Sequence, residues 1–403
     1  MPIPAAAVSG PDWPNPVMQL IHNHFTAAAT AAEEDNYMNA SQLTKHGSRL
    51  ILALAATGLA FAQSLPPLSS NATVYATGLN NPRGLKFGPD GGLYVAEGGT
   101  GGTSSSAGIC PQVVAPVGPY TGGNTGRISR LGLLGARATI VDGLPSSQTS
   151  SAMGSLVSGV ADVAFVGSTM YALISGGGCS HGLPNSPNGV IQVDTTKGTW
   201  TQLANLSTFT ASNPVANPSS DDFEPDGTYY SLVSLGDRLF TTEPNHGEID
   251  EIDMNGTVRR VVDISESHGH IVPTALAYNR DQLYFGNLFL FPVLPGSANV
   301  FTYGSDKHIH VMVPQLTTVV GIAFDSQDRL YVLEMSAGAG GPGPGQGQIL
   351  RVEYNGHLTT IASGFTFPTA MTFSPDGNTL YVTNLGFGFP AGMGQVVSVP
   401  ITN

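Results

Sequence analysis

Short apolar runs separated by tight polar turns recur along this chain. Residues 77–97 read TGLNNPRGLKFGPDGGLYVAE, and residues 363–384 read SGFTFPTAMTFSPDGNTLYVTN. Weaker copies occupy 159–174, 228–243, 272–287 and 319–334. Each copy holds an apolar strand, a polar turn, and a Leu or Met followed by an aromatic residue. That pair opens a second strand at Leu93, Met170, Leu239, Leu283, Leu330 and Leu380. A third segment with period-two alternation, the mark of a half-buried strand, follows at 126–131, 189–193, 247–252, 299–303, 347–352 and 394–399. A fourth follows at 139–141, 199–203, 257–262, 308–312 and 359–362, and the chain then ends. The missing sixth copy stands at the other end of the repeat, at 72–75. Six units of four strands predict an all-β, six-bladed β-propeller, closed by an N-terminal strand that completes the last blade.

Composition agrees. The chain has 403 residues with 51 Gly and 29 Pro, and only 11% are charged against a usual ~25%. Helical bundles need charged helix-formers that are scarce here. The net charge of −13 argues against nucleic acid as a partner.

Residues 50–60 form a short apolar run behind Lys45 and Arg49, with Ala60-Phe61-Ala62 after it. This is the pattern of a secretory signal, too short for a membrane anchor. We expect an upstream extension or mis-called start over 1–37, a signal peptide over 38–62, a linker over 63–70 and the propeller over 71–403. The protein is then secreted or periplasmic, where Cys110 and Cys179 can pair.

In a propeller, loops entering strand one and loops joining strands two and three open on one face. Here those loops are long, at 98–125, 175–188, 204–227, 288–296, 335–346 and 385–393, whereas the turns on the other face are short. Long loops on one rigid face are where binding concentrates. Cys110 and Cys179 fall in the first two of them, so a disulfide there is expected. The strand-two ends carry Glu97, Glu243, Asn287, Glu334 and Asn384, with Ile174 in the remaining copy. Oxygen-bearing side chains converging on a channel suit Ca2+; the same residues also suit holding loop backbone. The channel-mouth candidates are Arg83, Asp162, Tyr230, Thr274 and Thr369. His268 and His270 are the candidate bases, with His181 and His246 on the same face.

The run Asn80-Asn81-Pro82-Arg83-Gly84-Leu85-Lys86-Phe87-Gly88-Pro89-Asp90-Gly91, followed by Leu93-Tyr94-Val95-Ala96-Glu97-Gly98-Gly99-Thr100-Gly101-Gly102, resembles the opening of the ScyD/ScyE family. Later blades, at 272–287 and 321–334, fit it too. The resemblance spans about 71–403 and implies an exported NHL-like propeller, without implying an activity. It fails at the second blade, where an expected Pro-His-Asp-Val reads Val160-Ala161-Asp162-Val163.

Three functions are open to such a chain. The first is a binding or assembly module for a protein, glycan or small molecule on the long-loop face. The second is a Ca2+-dependent lactonase or esterase with the metal in the channel and His268 or His270 as base. The third is a quinone-dependent sugar dehydrogenase, for which Arg83 is nearly alone as a channel cation.

Overall fold

The computed structural model describes residues 65–220, 222–290, 292–338 and 341–401. The expected signal segment and upstream extension lie outside the described residues. Strands assemble into six antiparallel sheets in chain order, five of four strands and one of five. The inner strands are Pro82–Phe87, Val160–Val166, Leu232–Leu235, Pro273–Asn279, Val319–Phe324 and Ala370–Phe373. Each packs on the inner strand of the next blade, and the last packs on the first. The strand Thr73–Leu79 pairs antiparallel with Gly394–Pro400, placing Thr73 opposite Ser398 and Val74 opposite Val397. The sixth blade is thereby closed by the start of the propeller, through a longer strand than 72–75. Among the described residues no helix is long and apolar enough to cross a membrane.

Each interface between blades holds one apolar cluster. Tyr94, Ile128 and Val141 meet Val163, Met170 and Ile191 between blades one and two; Leu79, Leu85 and Leu93 meet Val396 between blades six and one. The recurring aromatic of strand two explains its own recurrence. In four of the six copies it stands edge-on to a Phe at the end of the inner strand of the next blade: Tyr94 on Phe165, Tyr284 on Phe324, Tyr331 on Phe373 and Tyr381 on Phe87, at 4.9–5.4 Å. Such pairs add roughly 0.5–1.5 kcal/mol each beyond the area they bury.

Three features depart from the expected pattern. In blade one, strands three and four lengthen to Thr121–Leu131 and Arg137–Gln148, and a fifth strand, Val157–Ser158, follows. The loop expected over 98–125 is therefore partly a ribbon. Two short helices, Leu206–Ser212 and Ile264–His268, begin where Asn205 and Asp263 accept hydrogen bonds from the Thr208 and Glu266 backbone N–H groups, as N-caps do. Within the stretch read as a linker, residues 65–67 are exposed while Leu68 and Ser69 meet the propeller. Ser69 N donates to the Ser363 carbonyl at 3.0 Å, and Leu68 joins the cluster between blades five and six.

Candidate functional site

The expected metal ligands do not converge. Glu97 accepts from the Asn80 backbone N–H at 2.6 Å and from Arg127 Nε and Nη2, both at 2.7 Å. Glu243 accepts from Thr228 N at 2.7 Å and from His246 N. Asn287 accepts from Asn299 N at 2.7 Å and donates to the Ile271 carbonyl. Glu334 accepts from Thr317 N at 2.6 Å and from Gln348 Nε2 at 2.7 Å. Asn384 accepts from Thr366 N at 2.7 Å. Each side chain turns back to backbone of its own blade, most often the loop entering strand one. Among the described residues no three His, Cys, Asp or Glu side chains form a group that could hold a metal ion.

The channel-mouth candidates divide. Thr274 and Thr369 stitch neighbouring blades together. Thr274 Oγ1 donates to the Val319 carbonyl in the next blade, and Thr369 Oγ1 donates to the Pro82 carbonyl at 2.7 Å. Thr242 and Thr383 do the same, toward the carbonyls of Thr274 and Arg83. Asp162 belongs to this circle. Its two oxygens accept from Val163 N and, in the next blade, from Leu232 N, both at 2.8 Å. Burial pushes its carboxyl up to about 6, against the pull of Lys86 and of these two N–H groups. Tyr230 reaches across the ring, its hydroxyl donating to the Thr369 carbonyl at 2.7 Å. Beneath lies a cavity of about 20 Å3, lined by residues that include Lys86, Asp162, Ser231 and Met371. That is room for about one water molecule.

Arg83 pairs with neither Asp162 nor Glu97. Its guanidinium lies between the rings of Tyr230 and Phe387, 5.3 Å from each centroid. The two asparagines before it build this arrangement. Asn81 accepts from Phe389 N at 3.0 Å, and Asn80 accepts from Gly392 N at 2.8 Å. The loop carrying Phe387 is thus clamped beside Arg83.

A second group of polar side chains lies under the loops of blades one to three. Cys110 and Cys179 are joined, with Cα atoms 6.3 Å apart. Two residues on, His181 Nδ1 shares a 2.7 Å hydrogen bond with Ser147 Oγ. His181 Nε2 stands 3.7 Å from Glu224 Oε2, beside the Gly227 carbonyl. Tyr120 donates to Glu224 Oε1 at 2.5 Å, and Thr228 donates to Oε2. Hydroxyl, imidazole and carboxyl in a row form a hydrolytic relay when the hydroxyl is accessible. Here Ser147, His181 and Glu224 are 0, 0 and 4% exposed, so a substrate carbonyl cannot reach the serine in this conformation. Burial pulls His181 down, and burial with the Asp222 and Glu243 charges pushes Glu224 up to about 8. At neutral pH the pair is an uncharged imidazole and a protonated carboxyl.

The candidate bases lie apart from the channel candidates. His268 ends a short helix, with Nδ1 2.8 Å from Ser267 Oγ and its ring edge-on to Phe301. His270 Nε2 meets Asp222 at 2.8 Å. His246 is buried against Glu243, 3.1 Å away; burial lowers its pKa, and the Glu243 charge outweighs this and raises it. Tyr120, Glu224 and Phe387 were not singled out from sequence, because they lie in loops outside the repeat.

No family model matches the chain, and no curated protein does. Solved structures do resemble it. A Bacteroides thetaiotaomicron protein of unknown function superposes with TM-score 0.52 at 9% identity, over 83% of this chain and 76% of that one. A Xanthomonas campestris gluconolactonase gives 0.47 at 10%, over 85% and 96%. Virginiamycin B lyase from Staphylococcus aureus gives 0.43 at 14%, over 84% and 90%. At 9% identity the Bacteroides likeness is one of fold alone, and the six sheets of this chain make that fold a six-bladed propeller.

Proposed function

We propose that the chain is an exported, non-catalytic binding propeller of the ScyD/ScyE kind, taking a small molecule, glycan or protein on its long-loop face. The signal-like stretch at 38–62 and the motif over 80–102 support export and that kinship. One observation carries the binding reading: the five strand-two carboxylates and amides are each committed to backbone of their own blade. A metal-assisted hydrolase needs such oxygens free to share a cation and its bound water. Releasing Glu97 would strand Arg127 and the Asn80 N–H. The dehydrogenase reading would need more channel cations than Arg83 and Lys86.

The test is a panel of lactones, aryl esters and quinone-linked sugar oxidation, run with Ca2+ and with chelator. The expected result is no turnover and a thermal midpoint unmoved by chelation. Turnover that needs Ca2+ and falls on substitution of Glu97 or Glu334 would replace this reading with the lactonase one. A reporter fused behind residues 38–62 that stays in the cytoplasm would overturn the export.

A further inference from the structure

Ten arginines lie among the described residues. Nine bring a guanidinium nitrogen within 4.0 Å of a carboxylate. Arg83 is the tenth. It is 7% exposed, and its guanidinium forms neither ion pair nor hydrogen bond with any described residue. Carboxylate is not scarce in a chain with 28 acidic residues and 15 basic ones. Two acids placed at this end of the propeller, Glu97 and Asp162, are engaged elsewhere. Tyr230 cannot serve as counter-ion: burial pushes its phenol up to about 12, so it is neutral.

A guanidinium taken from water without a partner is costly. Ring contacts return part of that cost, on the order of 2 kcal/mol when desolvated, but no described residue accepts from its N–H donors. Those donors form a planar fork that fits a carboxylate with two parallel hydrogen bonds. The flanking rings offer a flat apolar wall, and Phe387 is held there by a loop clamped to Asn80 and Asn81. The site is therefore built from three blades and one loop around a cation that no described residue answers.

We propose that the channel mouth at Arg83 binds a small organic carboxylate carried on a flat apolar body, with Arg83 holding the carboxylate and Phe387 and Tyr230 flanking the body. This deepens the binding reading above and rests on it. An inorganic anion could meet the same charge, so the test separates the two sources.

Benzoate, acetate, chloride and sulfate are titrated into the whole protein by calorimetry, with thermal melts in parallel. Saturable binding of one benzoate is expected, with acetate weaker by tenfold or more. R83Q should lose benzoate binding by at least tenfold, R83K should fall between, and F387A should weaken benzoate more than acetate. R83Q should melt no lower than wild type, since it removes an unanswered charge. Several outcomes would overturn the assignment: no anion binding to wild type, equal binding by R83Q, chloride or sulfate displacing benzoate at equal concentration, or a steep loss of R83Q stability that makes the guanidinium structural. Ester turnover by a protein that still binds benzoate at Arg83 would instead remove the non-catalytic reading and leave this site in place.

Discussion

Glu224→Gln should make the protein's stability less sensitive to alkali. The Glu224 carboxyl ordinarily titrates near 4.5 and is pushed up to about 8 in the fold, first by burial and then by the Asp222 and Glu243 charges. A raised folded pKa means that the folded state holds a proton which the unfolded chain has released. The stability tied to that proton is complete below the unfolded pKa and is lost as pH rises through the folded one. Between pH 6.5 and 8.5 the unfolded carboxyl is already ionised, while the folded one ionises only near the end of the range. At 1.36 kcal/mol per pH unit, the loss across this window is about 2 kcal/mol. Glutamine cannot ionise, yet its carbonyl can still accept from Tyr120. Asp162 and Glu248, pushed up to about 6 and about 7 chiefly by burial, titrate in both proteins and cancel in the difference. Urea denaturation followed by far-UV circular dichroism at pH 6.5, 7.5 and 8.5 measures it. The wild type should lose about 2 kcal/mol more than the variant across the window. Parallel curves would show Glu224 ionised throughout, and the neutral pairing with His181 would be wrong.

Three further outcomes follow from the geometry. Replacing Cys110 and Cys179 by serine opens a loop with a sequence separation of 69, which should cost about 4 kcal/mol on the chain-entropy estimate; an unchanged denaturation midpoint would refute it. A Cβ on Gly84 would stand 1.9 Å from Asp162 Oδ1 and 2.7 Å from Asp162 Cα, so Gly84→Ala must part blades one and two and should destabilise by roughly 3 kcal/mol; a melt within a degree of wild type would contradict that packing. Tyr230→Phe removes the hydroxyl that donates to the Thr369 carbonyl and should cost about 1 kcal/mol, read as a lower urea midpoint with an unchanged slope.

The blade pattern was legible because it is a packing pattern. Leu93 with Tyr94 and Leu380 with Tyr381 recur because each aromatic must meet the Phe of the next blade. Period-two alternation therefore announced the strands, and the displaced strand near residue 73 announced the closure. The Cys110–Cys179 bond followed from the two long loops sharing a face. The candidate site was only partly legible. Glu97, Glu243 and Glu334 stand at corresponding strand ends, but a sequence does not say where a carboxylate points. Here the backbone N–H groups of Asn80, Thr228 and Thr317 claim them. Thr274 and Thr369 looked like channel polarity and prove to be ties between blades. Glu224 and Phe387 gave no periodic signal, since the loops that carry them obey no repeat.

Two very similar blade sequences do different work, and the difference lies in three residues of the entry to the inner strand. Blade six enters its inner strand with Thr366-Phe367-Pro368-Thr369, and blade one with Asn80-Asn81-Pro82-Arg83. Both need the proline-containing entry and both accept a loop tie, at Asn384 and Glu97. Blade six then places a threonine where its hydroxyl can donate to the Pro82 carbonyl, which strengthens the ring. Blade one places an arginine there, which makes no such bond to the next blade, together with two asparagines whose side chains accept from Phe389 N and Gly392 N. A scaffold role would favour the threonine, as in blade six. The substitution costs the ring a tie and brings a buried positive charge to its centre. Among the described residues its structural return is a clamped aromatic loop beside that charge. That exchange is the one the proposed carboxylate site at Arg83 requires, and it is why the proposal rests on the first blade.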